Sequence, residues 1–174
     1  MLFRSGIFGI AGDIGTTTVV LNLVDLESGE IIQTSSFENP QRFGGGDIMN
    51  RISYDGGVFQ GELKQVMLSS INFEIGAMTR NPNRKSLRRR CIYDVVLVGN
   101  TTMRDILFGI DVQSVGQKPY KSLIQTEFEN KTRESTAVEC SASNMGLRVH
   151  PDAKVYSGPL VGSHVGTEDR KSVV

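Results

Sequence analysis

The residue types best suited to chemistry stand close together near the start of the chain, in the string Asp13-Ile14-Gly15-Thr16-Thr17-Thr18. Glycine at 15 lets the backbone come close to a ligand. The amides and hydroxyls of Thr16, Thr17 and Thr18 can then surround phosphate oxygens. Asp13 faces the same space in this reading and holds a magnesium ion through water, because magnesium keeps its waters. Asp13 is thus the candidate catalytic and metal-side carboxylate, and Gly15 to Thr18 the candidate phosphate cradle. An ordinary hairpin with a threonine-rich turn has the same look, so position in the fold decides between the two.

A second string, Val98-Gly99-Asn100-Thr101-Thr102-Met103, runs from an apolar stretch into a helix start. Free amides there, with the positive end of the helix dipole, favour an anion. Gly99, Asn100, Thr101 and Thr102 are therefore candidate ligand-binding residues, and a plain helix cap is the competing reading. A third group is Asn39-Pro40-Gln41 with Gly46-Asp47-Ile48 and Arg51 behind it. Asp47 reads as a helix cap and Arg51 as its i+4 partner, the alternative being that the group carries chemistry of its own. No GxxxxGK[ST] string occurs, which excludes a P-loop. Glycines at 6, 9, 12 and 15 have the wrong spacing for a dinucleotide fingerprint.

The elements that position these strings follow from patterning. Ile7–Asp13 reads as a buried strand, and the β-branched run Thr17–Leu26 as its partner across a tight hairpin. Glu27-Ser28-Gly29-Glu30 is a turn, and Ile31–Phe37 a third strand, so the chain opens as an antiparallel meander. A helix is expected from about Phe59 to Met78, with Leu63, Met67, Ile71 and Ile75 on its apolar stripe and Val66 and Met78 widening it. Asn81-Pro82-Asn83 stops it. Arg84, Lys85, Arg88, Arg89 and Arg90 form a basic run, read as a solvated turn or as a docking patch for an acidic partner. Ile92–Val98 is almost wholly apolar and predicts an interior strand covered on both faces, parallel to the first. A helix carrying Met103, Ile106 and Leu107 then ends near Gly109. Residues 110–146 show little periodicity. Lys154–Val161 reads as one more strand.

Composition bounds the class. Nineteen Lys and Arg balance nineteen Asp and Glu over 174 residues, so no overall field draws the chain to nucleic acid or acidic lipid. No apolar run approaches the roughly 20 residues of a membrane span. Two cysteines, Cys91 and Cys140, lie far apart, which argues against a cluster or zinc site within the chain. A reduced, cytoplasmic protein is the expectation.

Together these strings resemble one family. Asp13 to Thr18, Asn39-Pro40-Gln41, Gly46-Asp47-Ile48 with Arg51-Ile52, Val98 to Met103 and Pro119-Tyr120 occur in the order found in RACo-like reductive activators of corrinoid proteins. The resemblance runs from about Gly6 to Glu168. It implies an α/β fold: a ribonuclease-H-like lobe of the actin–hexokinase–chaperone (ASKHA) ATPase superfamily, a mixed sheet starting with an antiparallel meander and flanked by helices. It further implies ATP and Mg2+ as ligands and a corrinoid protein as partner, with a homodimer of the intact parent compatible. In the family a ferredoxin-like N-terminal domain carries a [2Fe–2S] cluster, and ATP drives electron transfer that returns cob(II)alamin to the cob(I) state. That domain is not in this sequence. The family's second phosphate loop reads Val-Gly-Ala-Asp. Here Val165-Gly166-Thr167-Glu168 stands in its place, so Gly166 matches and the aspartate does not.

The resemblance gives the expected layout: a first lobe over 6–153, and a truncated start of a second lobe over 154–168 that has lost its sheet partners. Asp169 to Val174 and Leu2 to Ser5 read as translated sequencing-adapter DNA, so residues 1–5 and 169–174 are expected to be non-native ends of a metagenomic fragment. Two other classes share the superfamily. A sugar-kinase-like phosphotransferase needs a substrate pocket with a catalytic base, and no such residue stands out. A non-catalytic actin-like assembly module needs only the nucleotide.

Overall fold

Alternation of β-branched and small residues builds the first part of the sheet. In the computed structural model, which describes residues 6–80 and 87–161, β1 (Phe8–Ile14), β2 (Thr18–Asp25) and β3 (Ile31–Glu38) form the expected meander. Gly29 turns β2 into β3 with φ +75°, a conformation glycine adopts without steric cost. The connection between β1 and β2 is longer than a two-residue hairpin, because Ile14 pairs with Val19 and the intervening residues leave the ladder.

After β3 come α1 (Ile48–Asp55) and α2 (Glu62–Met78). Asp47 caps α1, its Oδ1 accepting from the Asn50 amide at 2.8 Å. Helix α2 starts three residues later than the expected start near Phe59, after Gly61 in the left-handed region at φ 87°. Leu63, Met67, Ile71, Ile75 and Met78 are buried on it and Val66 is half-buried. Helix α2 ends at Met78, and the Asn81-Pro82-Asn83 stop lies outside the described residues.

Strand β4 (Ile92–Gly99) pairs in parallel with β1, and α3 (Thr101–Phe108) follows it to the Gly109 cap. The stretch without clear periodicity holds a 3-10 turn at Gln113–Gly116 and then α4 (Leu123–Glu129), β5 (Val138–Ser141) and α5 (Ala142–Met145). A buried ion pair ties α3 to this stretch. Arg104 donates to Asp105 at 2.6 Å and to the Thr136 carbonyl at 2.9 Å, and Ser122 donates to Asp105 at 2.6 Å. Strand β6 (Lys154–Ser157) completes a six-stranded sheet of order β3-β2-β1-β4-β6-β5.

Three expectations are corrected here. Strand β4 is interior and parallel to β1 as expected, but only one of its faces is covered among the described residues. Val95 and Leu97 join the core, whereas Tyr93 and Val96 are 42% and 39% exposed. The segment from Lys154 does not lose its sheet partners, because β6 lies between β4 and β5 and is paired on both sides. In the basic run, Arg88 and Arg90 are exposed, but Arg89 is not a solvated side chain. It donates to the Asn72 carbonyl at 2.6 Å and to the Arg148 carbonyl at 3.3 Å. Arg84 and Lys85 lie outside the described residues.

The core therefore sits on one side of the sheet, where Ile10, Leu21, Leu23, Val95 and Leu97 meet Met67, Ile71, Ile75, Met103 and Leu107. Ile71→Ala on α2 is expected to cost about 2–5 kcal/mol in urea denaturation, because Ile71 is fully buried. Phe73→Ala, two residues away and 67% exposed, is expected to stay within about 0.5 kcal/mol of the unaltered chain.

Candidate functional site

The site forms because two strands deliver their ends to the same edge of the sheet. Ile14, the last residue of β1, stands opposite Gly99, the last residue of β4. A side chain at 99 would bring its Cβ to 2.7 Å from the Ile14 carbonyl oxygen, so glycine is what lets the strands run this close to their ends. Beyond the pair, each chain turns away into one of the strings singled out above.

Asn100 joins the two. Its Oδ1 accepts from the Met103 amide at 3.0 Å, capping α3, and its Nδ2 donates to Thr16 Oγ1 at 3.1 Å. One side chain thus sets the helix start and holds the Thr16 hydroxyl. Thr101 and Thr102 are each 3% exposed. They line a cavity of about 250 Å³ together with Met49, Ile52, Asn100 and Tyr120.

The carbonyls of the β1–β2 loop are all held from behind. Asn39 Nδ2 donates to the Gly15 carbonyl at 2.7 Å, Arg51 Nη2 to the Thr16 carbonyl at 2.7 Å, and the Asn39 amide to the Thr17 carbonyl at 2.7 Å. In a planar trans peptide the N–H points opposite to the C=O. Tying these three carbonyls inward therefore turns the amides of Thr16, Thr17 and Thr18 away from Asn39 and Arg51. No described residue accepts a hydrogen bond from the amide of Thr16 or Thr17. Gly15 is buried, Thr16 half-buried, and Thr17 and Thr18 are exposed. Unpaired amides of this kind form an anion-binding concavity.

Asp13 lies beside this loop on the open face of β1, with Val20 of β2 and Val98 of β4 as its register partners. Loss of water there raises its carboxyl above the ordinary aspartate value. Asp13, Gly15 to Thr18, Gly99 and Asn100 are thus gathered at one end of the sheet. Gly166 and the string around it lie outside the described residues.

The expected pairing of Arg51 with Asp47 is not present. Asp47 is taken up by Asn50, accepting from its amide and from its side chain, whereas Arg51 is fully buried and reaches across to the β1–β2 loop. The Asn39 side chain was likewise not among the expected site residues. A signal for Arg51 was present: it follows Ile48 by three residues and precedes Ile52, so it stands on the apolar stripe of α1 and not on its wet side. Among the described residues no group of three or more His, Cys, Asp or Glu side chains is placed to hold a metal. No helix among them is long and apolar enough to cross a membrane.

An antiparallel meander extended by parallel strands, with helices on the sheet, defines a ribonuclease-H-like lobe of the actin–hexokinase–chaperone type. The chain belongs to the RACo middle region family, whose profile matches residues 8–173. It is 28% identical over 162 residues to the corrinoid activation enzyme RamQ of Eubacterium limosum, covering 93% of this chain and 26% of that protein. Among solved structures it is similar to a reductive activator for corrinoid, iron–sulfur protein, with a TM-score of 0.80 and 32% identity over 95% of this chain and 24% of that one. The chain spans about a quarter of the length of both relatives.

A raised carboxyl pKa favours the protonated acid in the folded state. Its stability contribution is full below about pH 4 and is lost as the pH rises through the shifted value. Asp13→Asn, neutral throughout, is therefore expected to melt at or above the unaltered chain at about pH 7 and together with it near about pH 3. A lower melting temperature at neutral pH would show that Asp13 makes a stabilising contact instead.

Proposed function

We propose that this chain carries the first phosphate-binding lobe of an ATP-dependent reductive activator, which returns the cob(II)alamin of a corrinoid protein to the cob(I) state. The observation that supports this best is the β1–β2 loop beside the ends of β1 and β4, whose carbonyls are held by Asn39 and Arg51 so that its amides point away from those two residues. That arrangement suits the oxygens of a nucleotide's terminal phosphates. The corrinoid partner is inferred from the two relatives, a corrinoid activation enzyme and a reductive activator for corrinoid, iron–sulfur protein.

In this reading Gly15 to Thr18, Gly99 and Asn100 take the phosphates, and Asp13 holds the Mg2+ that accompanies ATP through water. Gly166 stands at the position of the family's second phosphate loop, and the second lobe of the parent grips the adenosine. The electron comes from a [2Fe–2S] cluster in another domain of the parent. Hydrolysis or binding of ATP changes the fit between lobes and so drives the transfer to the corrinoid.

Two measurements test it. In the intact parent, Asp13→Ala is expected to weaken Mg2+-dependent ATP hydrolysis far more than Asp47→Ala, because Asp47 only caps α1. Equal effects would remove Asp13 from the metal side. In isothermal titration, the 174-residue chain by itself is expected to bind Mg–ATP no better than about millimolar, roughly −4 kcal/mol, because an open site leaves most of the ligand in water. A micromolar dissociation constant would mean that this lobe alone, or a dimer of it, encloses the nucleotide.

A further inference from the structure

Arg51 is fully buried and takes part in no ion pair among the described residues. Its donors go to the Gly45 carbonyl at 3.0 Å, the Thr16 carbonyl at 2.7 Å and Met103 Sδ at 3.1 Å. Burying a guanidinium without a carboxylate is unfavourable. Burial, and after it the charge of Arg42, lowers its pKa, while Asp47 raises it. A methionine is shorter but would fill much of the space without that cost. It would not hold the Thr16 carbonyl, and it would not place a positive charge behind the next peptide.

We propose that Arg51 is the positioning residue of the phosphate loop, acting through the peptide between Thr16 and Thr17. It holds the carbonyl of that peptide, which turns the Thr17 N–H outward. A cation on the carbonyl also withdraws electron density, making the N–H a stronger donor, as happens along any polarised hydrogen-bond chain. The guanidinium never touches the anion. Its buried charge is compensated when an anion arrives on the far side of the loop. Asn39 does the same for the Gly15–Thr16 peptide as a neutral donor. This role rests on the phosphate reading of the loop.

The test is a titration of the 15N-labelled chain with Mg–ATP and, separately, with tripolyphosphate, followed by two-dimensional NMR. In the unaltered chain the Thr16 and Thr17 amides are expected to shift. In Arg51→Met the affinity for both probes is expected to fall about tenfold or more. Arg51→Lys, which keeps the charge but not the fork of donors, is expected to recover part of it. A purely structural role would lower the melting temperature and leave the affinity of the folded chain unchanged. A folded Arg51→Met chain whose Thr17 amide titrates with the unaltered midpoint therefore overturns the proposal. If Arg51→Met does not fold, the Arg51 Nε–H resonance of the unaltered chain decides. It is expected to move with the Thr17 amide, and a resonance still unmoved at saturation overturns the role. Failure of the phosphate reading itself looks different: no loop amide of the unaltered chain moves with either probe, and the role of Arg51 falls with it.

Discussion

A loop can offer its amides to an anion only when its carbonyls are occupied elsewhere, because every planar peptide carries both groups on opposite sides. The architecture around residues 15–17 meets this requirement from three directions. The backbone of Asn39 continues the β2–β3 ladder by one bond, its side chain takes the Gly15 carbonyl, and α1 delivers Arg51 to the Thr16 carbonyl. The meander sets Asn39, the helix sets Arg51, and α3 supplies Met103, whose sulfur lies against both side chains. The segment between β3 and α2 is therefore more than a connection. Its cap at Asp47 and its glycine at 45 fix the helix that aims the guanidinium.

The sheet has two unlike faces. One carries the core built with α2 and α3. The other shows Ala11, Asp13, Tyr93, Asp94 and Val96 to solvent among the described residues. Asp13 stands on this second face between valines, and partial loss of water there raises its carboxyl above the ordinary aspartate value. A site that disfavours a bare negative charge is one that gains from a cation close by.

Much of this was legible in the amino-acid order. The β-branched runs, the glycine at 29 and the cap at Asn100 are local signals, and each led to the element observed. The parallel position of β4 could be read because seven residues with hardly a polar group do not suit a wet edge. Other features depend on contacts between distant segments. Arg51 was placed beside Asp47 because sequence spacing shows only neighbours on the same helix, whereas its partner lies 35 residues away. The four-residue strand β5 is too short to carry a period, and β6, read as a strand from its sequence, is recognisable as interior only once β5 is seen beside it. The open face of β4 escaped for a related reason: an apolar strand says that a cover belongs on it, not which segment provides one.

The bond between Asn100 and Thr16 spans 84 positions of the chain, and that distance has a consequence for the order of folding. The meander closes through short turns and can assemble early, since near contacts form at little entropic expense. The parallel seam between β1 and β4 cannot close until both helices of the crossover have been made and laid down. During synthesis, a nascent chain ending before Ile92 already holds every atom of the first threonine string, yet it lacks the strand and the asparagine that steady it. The end of the sheet where the two threonine strings meet is thus completed only once β4 and Asn100 have been made.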